Sequence, residues 1–302
     1  GFRLIAARLL GYRNFYIHYS FAAAFLASIL LRPTGARIYY WNCGEPWKFG
    51  RSFARNRFER FTYHAVSFLV TGAEKLKEQY ARHYRLPEEK ILVMPNWVDL
   101  EKLKTIHYER ETEKLRQELN IFAGQKIALF VHRLSARKGS RYLPDLARCA
   151  QKKNAVLVVV GDGPDRRWLE QTLAAKGLAD AVRVVGDVPN RSLAPYYGAA
   201  DVFVMPSREE GFPHVVLEAM AYGVPLIVSD AGAVKEIVPP QLRPSVIPEG
   251  ETSLFCKKME ELLDLTPENK KAIADVERAW VARFDITNVL PIFINLFKRA
   301  AP

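Results

Sequence analysis

The sequence predicts an α/β protein built from doubly wound parallel sheets, and three observations lead to this prediction. From about residue 121 onward, short β-branched runs alternate with amphipathic helical segments. These runs are almost continuously apolar, which is typical of strands in a parallel sheet covered on both faces. The chain has 302 residues and 49% hydrophobic content, which is enough for two domains with separate cores.

The second half contains six strand-like segments, which read KIALFVH, AVLVVVG, AVRVVG, DVFVMP, PLIVSD and, more weakly, PSVIP. The helical segments between them read RYLPDLARCAQ, DRRWLEQTLAAKG, SLAPYYGAA, PHVVLEAMAYG and AVKEIV. Six strands with crossover helices predict a doubly wound domain over residues 121–282. Two further helices are predicted at 267–282 and 286–299, and residues 283–302 are treated as a terminal segment.

The first half, residues 1–115, shows the same alternation of strand-like and helical segments, with four strands: FYIHY, ARIYYW, SFLVTGA and KILVMP. Helices are predicted at 20–31 and 73–84, with a basic amphipathic helix at the start. Doubly wound domains usually have about six strands, so this domain is expected to be incomplete. The strand at 14–19 is then expected to lack a partner on one side. A polar, charged stretch from Asp99 to Gln125 is interpreted as a linker.

Composition limits the classes of partner and location. The net charge is +11 and the isoelectric point about 9.5, which favours nucleic acid, acidic lipid or phosphorylated substrates. The longest apolar run, residues 21–31, is too short to span a bilayer. Cys43, Cys149 and Cys256 are far apart without CxxC spacing, so unpaired thiols and a cytoplasmic location are expected. The six histidines show no metal-ligand spacing.

The stretch SREEGFPHVVLEAMAYG, residues 207–223, places a carboxylate in an unexpected position. Glu218 lies among apolar residues, eight positions after Glu210. Pro213 suits the first turn of a helix, whose free N–H groups favour a phosphate or sugar oxygen. Ionised carboxylates only accept hydrogen bonds, so they suit hydroxyl-rich ligands such as ribose and hexose. A surface Glu beside a helical Glu paired with an arginine is the alternative.

Two other loops at strand ends contain residues suited to a phosphorylated ligand. Arg133 and Lys138, in HRLSARKGS, match the charge of a diphosphate, although a solvated basic pair is the alternative. The turn GDGP lacks the GxGxxG pattern and is interpreted as a tight turn with Asp162 near the cleft. The sequence contains neither Asp-x-Asp nor GxxxxGK[ST].

Taken together, these loops resemble the retaining glycosyltransferases of family 4, also called glycosyl transferases group 1. The resemblance covers residues 66–240, and its most specific part is VRVVGDVPNRSLAPYYGAADVFVMPSREEGFPHVVLEAMAYGVPLIVSD. It implies the GT-B fold, with two facing Rossmann-like doubly wound domains, the N-terminal one apparently incomplete. The terminal helix would cross back to the N-terminal domain.

The resemblance also implies residue roles. Glu210 would contact the donor sugar, Glu218 the ribose hydroxyls, and the loop near Val188 the base. The predicted catalytic residues are Arg133, Lys138 and Glu210, the two cations neutralising the diphosphate. The predicted donor-binding residues are Asp162, Val188, Gly211, Phe212, Pro213 and Glu218. No metal or cofactor is implied beyond a UDP- or GDP-linked donor substrate.

The sequence departs from the family in several places. His132 replaces the glycine that often precedes the arginine, and Trp97 replaces the glycine of PNGVD. The family's first strand and glycine-rich loop have no counterpart. On the acceptor side, WNCGEPW replaces a stretch that usually offers a histidine, so the predicted acceptor-side residues are His18, Asn42 and Glu45.

These features predict a retaining hexosyltransferase that uses a nucleotide-diphosphate sugar. Its acceptor would be a saccharide or lipid-linked saccharide in envelope polysaccharide or glycolipid synthesis. The alternatives are an inactive relative that binds sugar nucleotide without transfer, and a nucleotide-sugar epimerase, which the glutamate spacing disfavours. A nucleic-acid partner is not expected, since interleaved aromatic and basic residues on one sheet face are not evident. The basic N-terminal region is consistent with peripheral contact with an anionic membrane at its inner face, and a solvated basic surface is the alternative.

Overall fold

The computed structural model describes residues 2–48, 50, 52–104 and 109–298. The chain forms two compact units. Unit 1 comprises Gly1–Asn96 together with Thr287–Pro302, and unit 2 comprises Trp97–Ile286. Each unit contains one parallel β-sheet, so the predicted α/β fold class is confirmed.

Unit 1 contains a four-stranded sheet whose spatial order follows the chain. Its strands are β1 (Asn14–His18), β2 (Arg37–Trp41), β3 (Phe68–Thr71) and β4 (Ile91–Val93). The helices before and between them are α1 (Phe2–Leu9), α2 (Phe21–Leu30), α3 (Phe53–Ala65) and α4 (Glu74–Tyr84). Within the described residues, β1 pairs with β2 alone and lies at one edge, as expected from the sequence.

The core of unit 1 is rich in tyrosine. Tyr40, Tyr63, Tyr80 and Tyr84 are all buried, with neighbouring ring centroids 4.5 Å apart in the Tyr63–Tyr84 pair. Buried hydroxyls need hydrogen-bond partners. The Tyr80 hydroxyl donates to the Gly44 carbonyl at 2.9 Å, so the core also fixes the loop that follows β2.

Unit 2 contains a six-stranded, fully parallel sheet with the spatial order β10-β9-β8-β5-β6-β7. The strands are β5 (Lys126–Val131), β6 (Ala155–Val160), β7 (Val182–Gly186), β8 (Val202–Met205), β9 (Leu226–Ser229) and β10 (Val246–Ile247). The winding direction reverses between β5 and β8. In open α/β sheets, ligands bind beyond the carboxyl ends of the strands at such a reversal.

Nine helices of unit 2 lie within the described residues. They are α5 (Leu100–Lys104), α6 (Glu109–Glu118), α7 (Leu143–Lys152), α8 (Arg166–Ala175), α9 (Ala194–Ala199), α10 (His214–Tyr222), α11 (Val234–Ile237), α12 (Thr252–Leu263) and α13 (Pro267–Val281). The sheet is buried on both faces, and its strands β5, β6, β8 and β9 contain almost no exposed residue. This explains their continuous apolar sequences.

The last helix, α14 (Ile286–Lys298), belongs to unit 1 from Thr287 onward. Its Phe293 ring packs edge-on against Tyr16 at 5.1 Å, and Phe297 packs against Tyr39 at 4.8 Å. These aromatic contacts attach the helix to the first two strands of the unit 1 sheet.

The stretch interpreted as a linker lies in unit 2, where it contains α5 and α6. Helix α6 packs against α9, and Leu115 and Ile121 are buried. The Val98 amide donates to the Phe284 carbonyl at 2.9 Å, which ties the residue before this stretch to the turn that follows α13. The units therefore divide at residues 96 and 97 rather than between 115 and 121.

All ten predicted strands are present, with shifts of one or two residues at their ends. Helix α3 was not predicted, because its sequence FARNRFERFTYHA has no continuous apolar stripe. Only Glu59, Thr62 and Tyr63 of this helix are buried. None of the helices in the described ranges is long and apolar enough to cross a membrane.

The expectation of three unpaired cysteines is wrong for two of them. Cys149 on α7 and Cys256 on α12 form a disulfide, with their Cα atoms 5.8 Å apart. The two residues are 107 positions apart in the chain, and only the packing of α7 against α12 brings them together. Cys43 is a buried free thiol, and burial raises its pKa to about 12.

Candidate active site

A cavity of about 680 Å³ lies at the carboxyl ends of β5, β6 and β7 in unit 2. Its walls come from the loops that follow these strands and from the first turns of α10. The lining residues with polar side chains are His132, Arg133, Asp162, Asp187, Asn190, His214 and Glu218. This is the edge of the sheet at which a doubly wound fold binds its ligands.

Glu218 lies on α10 and lines the cavity. The Tyr197 hydroxyl donates a 2.8 Å hydrogen bond to its Oε2 atom. Burial raises the pKa of Glu218, and the hydrogen bond from Tyr197 only partly opposes this effect. Tyr197 thus holds one oxygen of the Glu218 carboxylate. The carboxylate can still accept further hydrogen bonds from a ligand in the cavity.

Glu210 lies behind the wall of the cavity and is 4% exposed. His132 Nε2 is 3.0 Å from its Oε1, and Lys138 Nζ is 2.9 Å from its Oε2. Burial alone would raise the pKa of Glu210, but the hydrogen bond from His132 and the charge of Lys138 lower it to about 2. Both carboxylate oxygens are thus held by protein groups.

Glycine is required at two positions of the supporting loops. A Cβ atom on Gly139 would lie 2.0 Å from the Pro206 carbonyl oxygen, and one on Gly232 would lie 2.0 Å from the Glu210 carbonyl oxygen. Both residues also have positive φ angles. The loops after β5, β8 and β9 therefore pack backbone to backbone around Glu210.

A second ion pair fixes the same loops. Arg137 donates from Nε and Nη2 to the two carboxylate oxygens of Glu209, at 2.7 and 2.6 Å. Lys138 also donates to the Glu209 carbonyl at 3.0 Å. Bidentate pairs of this kind add geometric precision to charge neutralisation.

Asp162 and Val188 both line the cavity. The carboxylate of Asp162 accepts from Arg166 at 2.8 Å and from the Gly163 amide at 2.6 Å. The hydrogen bond from Arg166 lowers the pKa of Asp162. Asp162 thus holds the turn between β6 and α8, in agreement with the tight turn expected from the sequence.

The segment from Gly211 to Pro213 forms the entrance to α10, which begins at His214 with Pro213 at the N-cap. The Gly211 carbonyl accepts from the Ala233 amide at 2.9 Å. Phe212 is buried, and its ring packs edge-on against Phe284 at 5.5 Å. Phe212 therefore anchors the helix start in the unit 2 core, while His214 and Val215 line the cavity.

The predicted acceptor-side residues all lie in unit 1, at or beyond the carboxyl ends of β1 and β2. His18 stacks on Trp41 with ring centroids 4.4 Å apart, and burial lowers the pKa of His18. Asn42 accepts from the Gly44 amide at 2.9 Å. Glu45 is buried and lies 2.9 Å from Lys48.

Sequence reasoning noted His132 only as a departure from the family, and it missed Tyr197. The structure shows that His132 contacts Glu210 and that Tyr197 contacts Glu218. Each partner lies at least 21 positions away in the chain. A short motif contains no signal for such contacts. No cluster of three or more potential metal-ligating side chains occurs within the described ranges.

A family model described as glycosyl transferases group 1 matches residues 111–278, which is more than half of the chain. The chain belongs to this family. The match covers the cavity loops, both glutamates and the cations of the HRLSARKGS segment.

Two curated relatives show the same relationship. The chain is 33% identical over 184 residues to an uncharacterized glycosyltransferase of Methanocaldococcus jannaschii, covering 58% of this chain and 47% of the relative. It is 26% identical over 219 residues to the alpha-D-kanosaminyltransferase of Streptomyces kanamyceticus, covering 72% of this chain and 56% of the relative. The chain thus spans about half the length of these relatives.

The fold is shared with solved structures. Anabaena HepE, crystallised in complex with UDP and glucose, matches with a TM-score of 0.84 at 21% identity. The match covers 95% of this chain and 78% of HepE. Together with the two parallel sheets, this likeness assigns the GT-B fold.

Proposed function

We propose that the protein transfers a hexose from a nucleotide-diphosphate sugar, UDP- or GDP-linked, to a saccharide or lipid-linked acceptor. The observation that carries this proposal is the cavity at the strand ends of unit 2. It combines the carboxylate of Glu218, the guanidinium of Arg133 and the start of α10. Its volume falls within the range of about 300–1,000 Å³ that is typical of ligand sites.

The lining residues match the parts of such a donor. Glu218 accepts from the ribose hydroxyls, since its carboxylate is held by Tyr197 on one side and faces the cavity. The exposed Arg133 neutralises the diphosphate, and the loop around Val188 meets the base. UDP and UDP-glucose bound to the Anabaena relative support a sugar nucleotide as the ligand.

The reaction requires stabilisation of the leaving group. As the anomeric bond breaks, negative charge collects on the departing diphosphate. Arg133, Lys138 and the N–H groups at the start of α10 stabilise that charge more than they stabilise the ground state. We expect retention of anomeric configuration with same-face attack by the acceptor hydroxyl, and no metal or cofactor in this step.

The proposal extends to the partners in unit 1. His18 ends β1, and Asn42 and Glu45 lie in the loop that follows β2, where the acceptor would bind. The acceptor is a saccharide or lipid-linked saccharide of envelope polysaccharide or glycolipid synthesis. We also propose that unit 1 makes peripheral contact with the inner face of an anionic membrane.

Replacing Glu218 tests the donor assignment. Glu218→Ala removes a charged hydrogen bond to ribose, which contributes roughly 1.5–3 kcal/mol. We expect the affinity for UDP- or GDP-sugars, measured by calorimetry, to fall by roughly 10- to 100-fold. The melting temperature should not fall comparably, because burial of this charge is itself unfavourable.

Glu113→Ala serves as the matched control, since Glu113 is an exposed glutamate on α6. It should leave nucleotide affinity unchanged. Unaltered affinity in Glu218→Ala would disprove the ribose assignment. Tight donor binding without transfer or donor hydrolysis in the unaltered protein would instead favour the alternative of a binding-only relative.

A further inference from the structure

His132 stands at the end of β5, at the position where the family often has glycine. Its side chain lines the cavity and is 19% exposed. With glycine at this position, the hydrogen bonds of the imidazole to Glu210 and to the backbone N–H of Arg133 would be absent. The imidazole is therefore a feature of this chain that the proposed donor contacts do not explain.

The hydrogen bonds of the ring define its protonation. The backbone N–H of Arg133 donates to His132 Nδ1 at 2.9 Å, so Nδ1 is an acceptor and carries no proton. His132 Nε2 lies 3.0 Å from Glu210 Oε1, which is a carboxylate oxygen and can only accept. The ring is thus the neutral tautomer with its proton on Nε2.

Both ring nitrogens are consequently used by the protein. The imidazole has no remaining N–H and no remaining lone pair for a substrate, so it is unsuited to general acid or base catalysis. The imidazole instead connects three neighbouring residues. Its Nε2 contacts Glu210, which in turn pairs with Lys138. Its Nδ1 accepts from the backbone N–H of Arg133.

The geometry points to His132 as a positioning residue for the proposed transfer reaction. As the neutral Nε2–H tautomer it fixes Glu210, and through Glu210 the ammonium group of Lys138, relative to Arg133. It transfers no proton. This inference rests on the proposed function for its effect on turnover, although the tautomer itself is independent of any activity.

Three substitutions separate the two hydrogen bonds. In His132→Gln, the side-chain amide nitrogen can reach the place of Nε2 and donate to Glu210. In His132→Asn, the amide oxygen can take the place of Nδ1 and accept from Arg133, but the side chain is too short to reach Glu210. His132→Ala makes neither hydrogen bond.

We expect His132→Ala and His132→Asn to lower kcat on the order of 100-fold, since misplacement of charged groups by about 1 Å has effects of that size. The donor KM should change much less. His132→Gln should rescue most of the turnover, and its pH profile should match that of the unaltered enzyme. Loss in His132→Gln as large as in His132→Ala would overturn the inference, as would full activity in His132→Ala.

Two measurements decide the point without any turnover. In ¹⁵N-histidine NMR of the unaltered protein, His132 Nδ1 should resonate as an unprotonated nitrogen and Nε2 as a protonated one. A ¹³C titration of the Glu210 carboxyl should show a raised pKa in His132→Ala and little change in His132→Gln. A protonated Nδ1 overturns the inference. Absent transfer with every donor, combined with the expected NMR result, would count against the proposed function alone.

Discussion

At the scale of single residues, Glu210 couples the site to the stability of unit 2. Its carboxylate is buried, yet its pKa is lowered from 4.5 to about 2 by His132 and Lys138 despite the opposing effect of burial. A folded-state pKa below the unfolded value adds stability above the unfolded pKa. This stability is lost as the pH falls from about 5 towards 2.

In Glu210→Gln, the free energy of unfolding should therefore fall less on acidification than it does in the unaltered protein. We expect the difference in unfolding free energy between the unaltered protein and the variant to shrink by on the order of 1–3 kcal/mol between pH 6 and pH 2, since one pKa unit is about 1.4 kcal/mol. Urea unfolding followed by circular dichroism measures it. A difference that stays constant over this range would mean that Glu210 is not held ionised by its neighbours.

The two glutamates also show which parts of the site the sequence could predict. The position of Glu218 in an apolar helix indicated a functional carboxylate, and the structure places it in the cavity wall. Glu210 was expected to face the same cleft, but it lies behind His132 with both oxygens held by protein groups. That arrangement depends on contacts between residues 78 positions apart, which no local pattern records.

At the scale of helices and strands, prediction was accurate where burial on two faces imposes an apolar sequence. Strands β5, β6, β8 and β9 follow this rule. The helices of unit 2 that cover the sheet were predicted from their amphipathic pattern instead. Helix α3 was missed because its buried side contains Glu59 and Thr62, and its exposed side contains phenylalanine. The pairing of α7 with α12 was likewise hidden, because it is a tertiary contact.

The disulfide between α7 and α12 should stabilise unit 2. Closing a loop of 107 residues restricts the unfolded chain, and the chain-entropy model assigns about 4–5 kcal/mol to a loop of this length. We expect dithiothreitol to lower the melting temperature of the oxidised protein. The double variant Cys149→Ala/Cys256→Ala should melt at the lower temperature with or without reductant. Cys43→Ala controls for the remaining thiol.

Thiol counting provides the decisive comparison. Two reactive thiols should appear only after reduction, and they should map to Cys149 and Cys256 by mass spectrometry. Cys149 and Cys256 thiols that react in the air-oxidised protein before reduction would contradict the disulfide. If the bond is confirmed by mass spectrometry, a melting temperature independent of dithiothreitol would show that it adds no stability.

At the scale of the whole molecule, the net positive charge is confined to one unit. The residues of unit 1 include 17 Lys and Arg against 6 Asp and Glu, whereas unit 2 has 27 of each. The net charge of +11 therefore belongs entirely to unit 1. An anionic partner of this protein should be attracted to unit 1, while the proposed donor in the unit 2 cavity would depend on locally placed cations.

Helix α3 exposes arginine and phenylalanine side chains that are suited to contact with an anionic membrane. Its exposed aromatic and arginine residues, here called the aromatic–arginine face, are Phe53, Arg55, Arg57, Phe58, Arg60 and Phe61. Arg55 also pairs with Glu59 at 3.4 Å. Phe53 is 77% and Phe61 54% exposed, while the acidic residue of this helix, Glu59, is buried. Exposed arginines and exposed phenylalanines on one helix can both contribute to binding at an anionic bilayer, the arginines by attraction to the lipid charge and the phenylalanines by burial of apolar area.

We expect the protein to sediment with vesicles that contain phosphatidylglycerol, and to bind phosphatidylcholine vesicles much more weakly. Each arginine near an anionic surface contributes about 1 kcal/mol, so Arg55→Gln/Arg57→Gln/Arg60→Gln should weaken binding on the order of 100-fold. Phe53→Ser/Phe61→Ser should weaken it as well, through lost burial of apolar area in the interface. High salt should reduce the arginine contribution and leave the aromatic contribution largely intact.

The matched control removes the same charge from unit 2, through Arg243→Gln/Lys257→Gln/Lys271→Gln at three exposed positions. If binding depends on the aromatic–arginine face, this control should retain nearly all of the vesicle affinity, although its net charge equals that of the α3 variant. Equal losses in both triple variants would show that only total charge matters. Equal binding to neutral and anionic vesicles would contradict an electrostatic role for unit 1, because the attraction depends on the negative surface potential of the lipid.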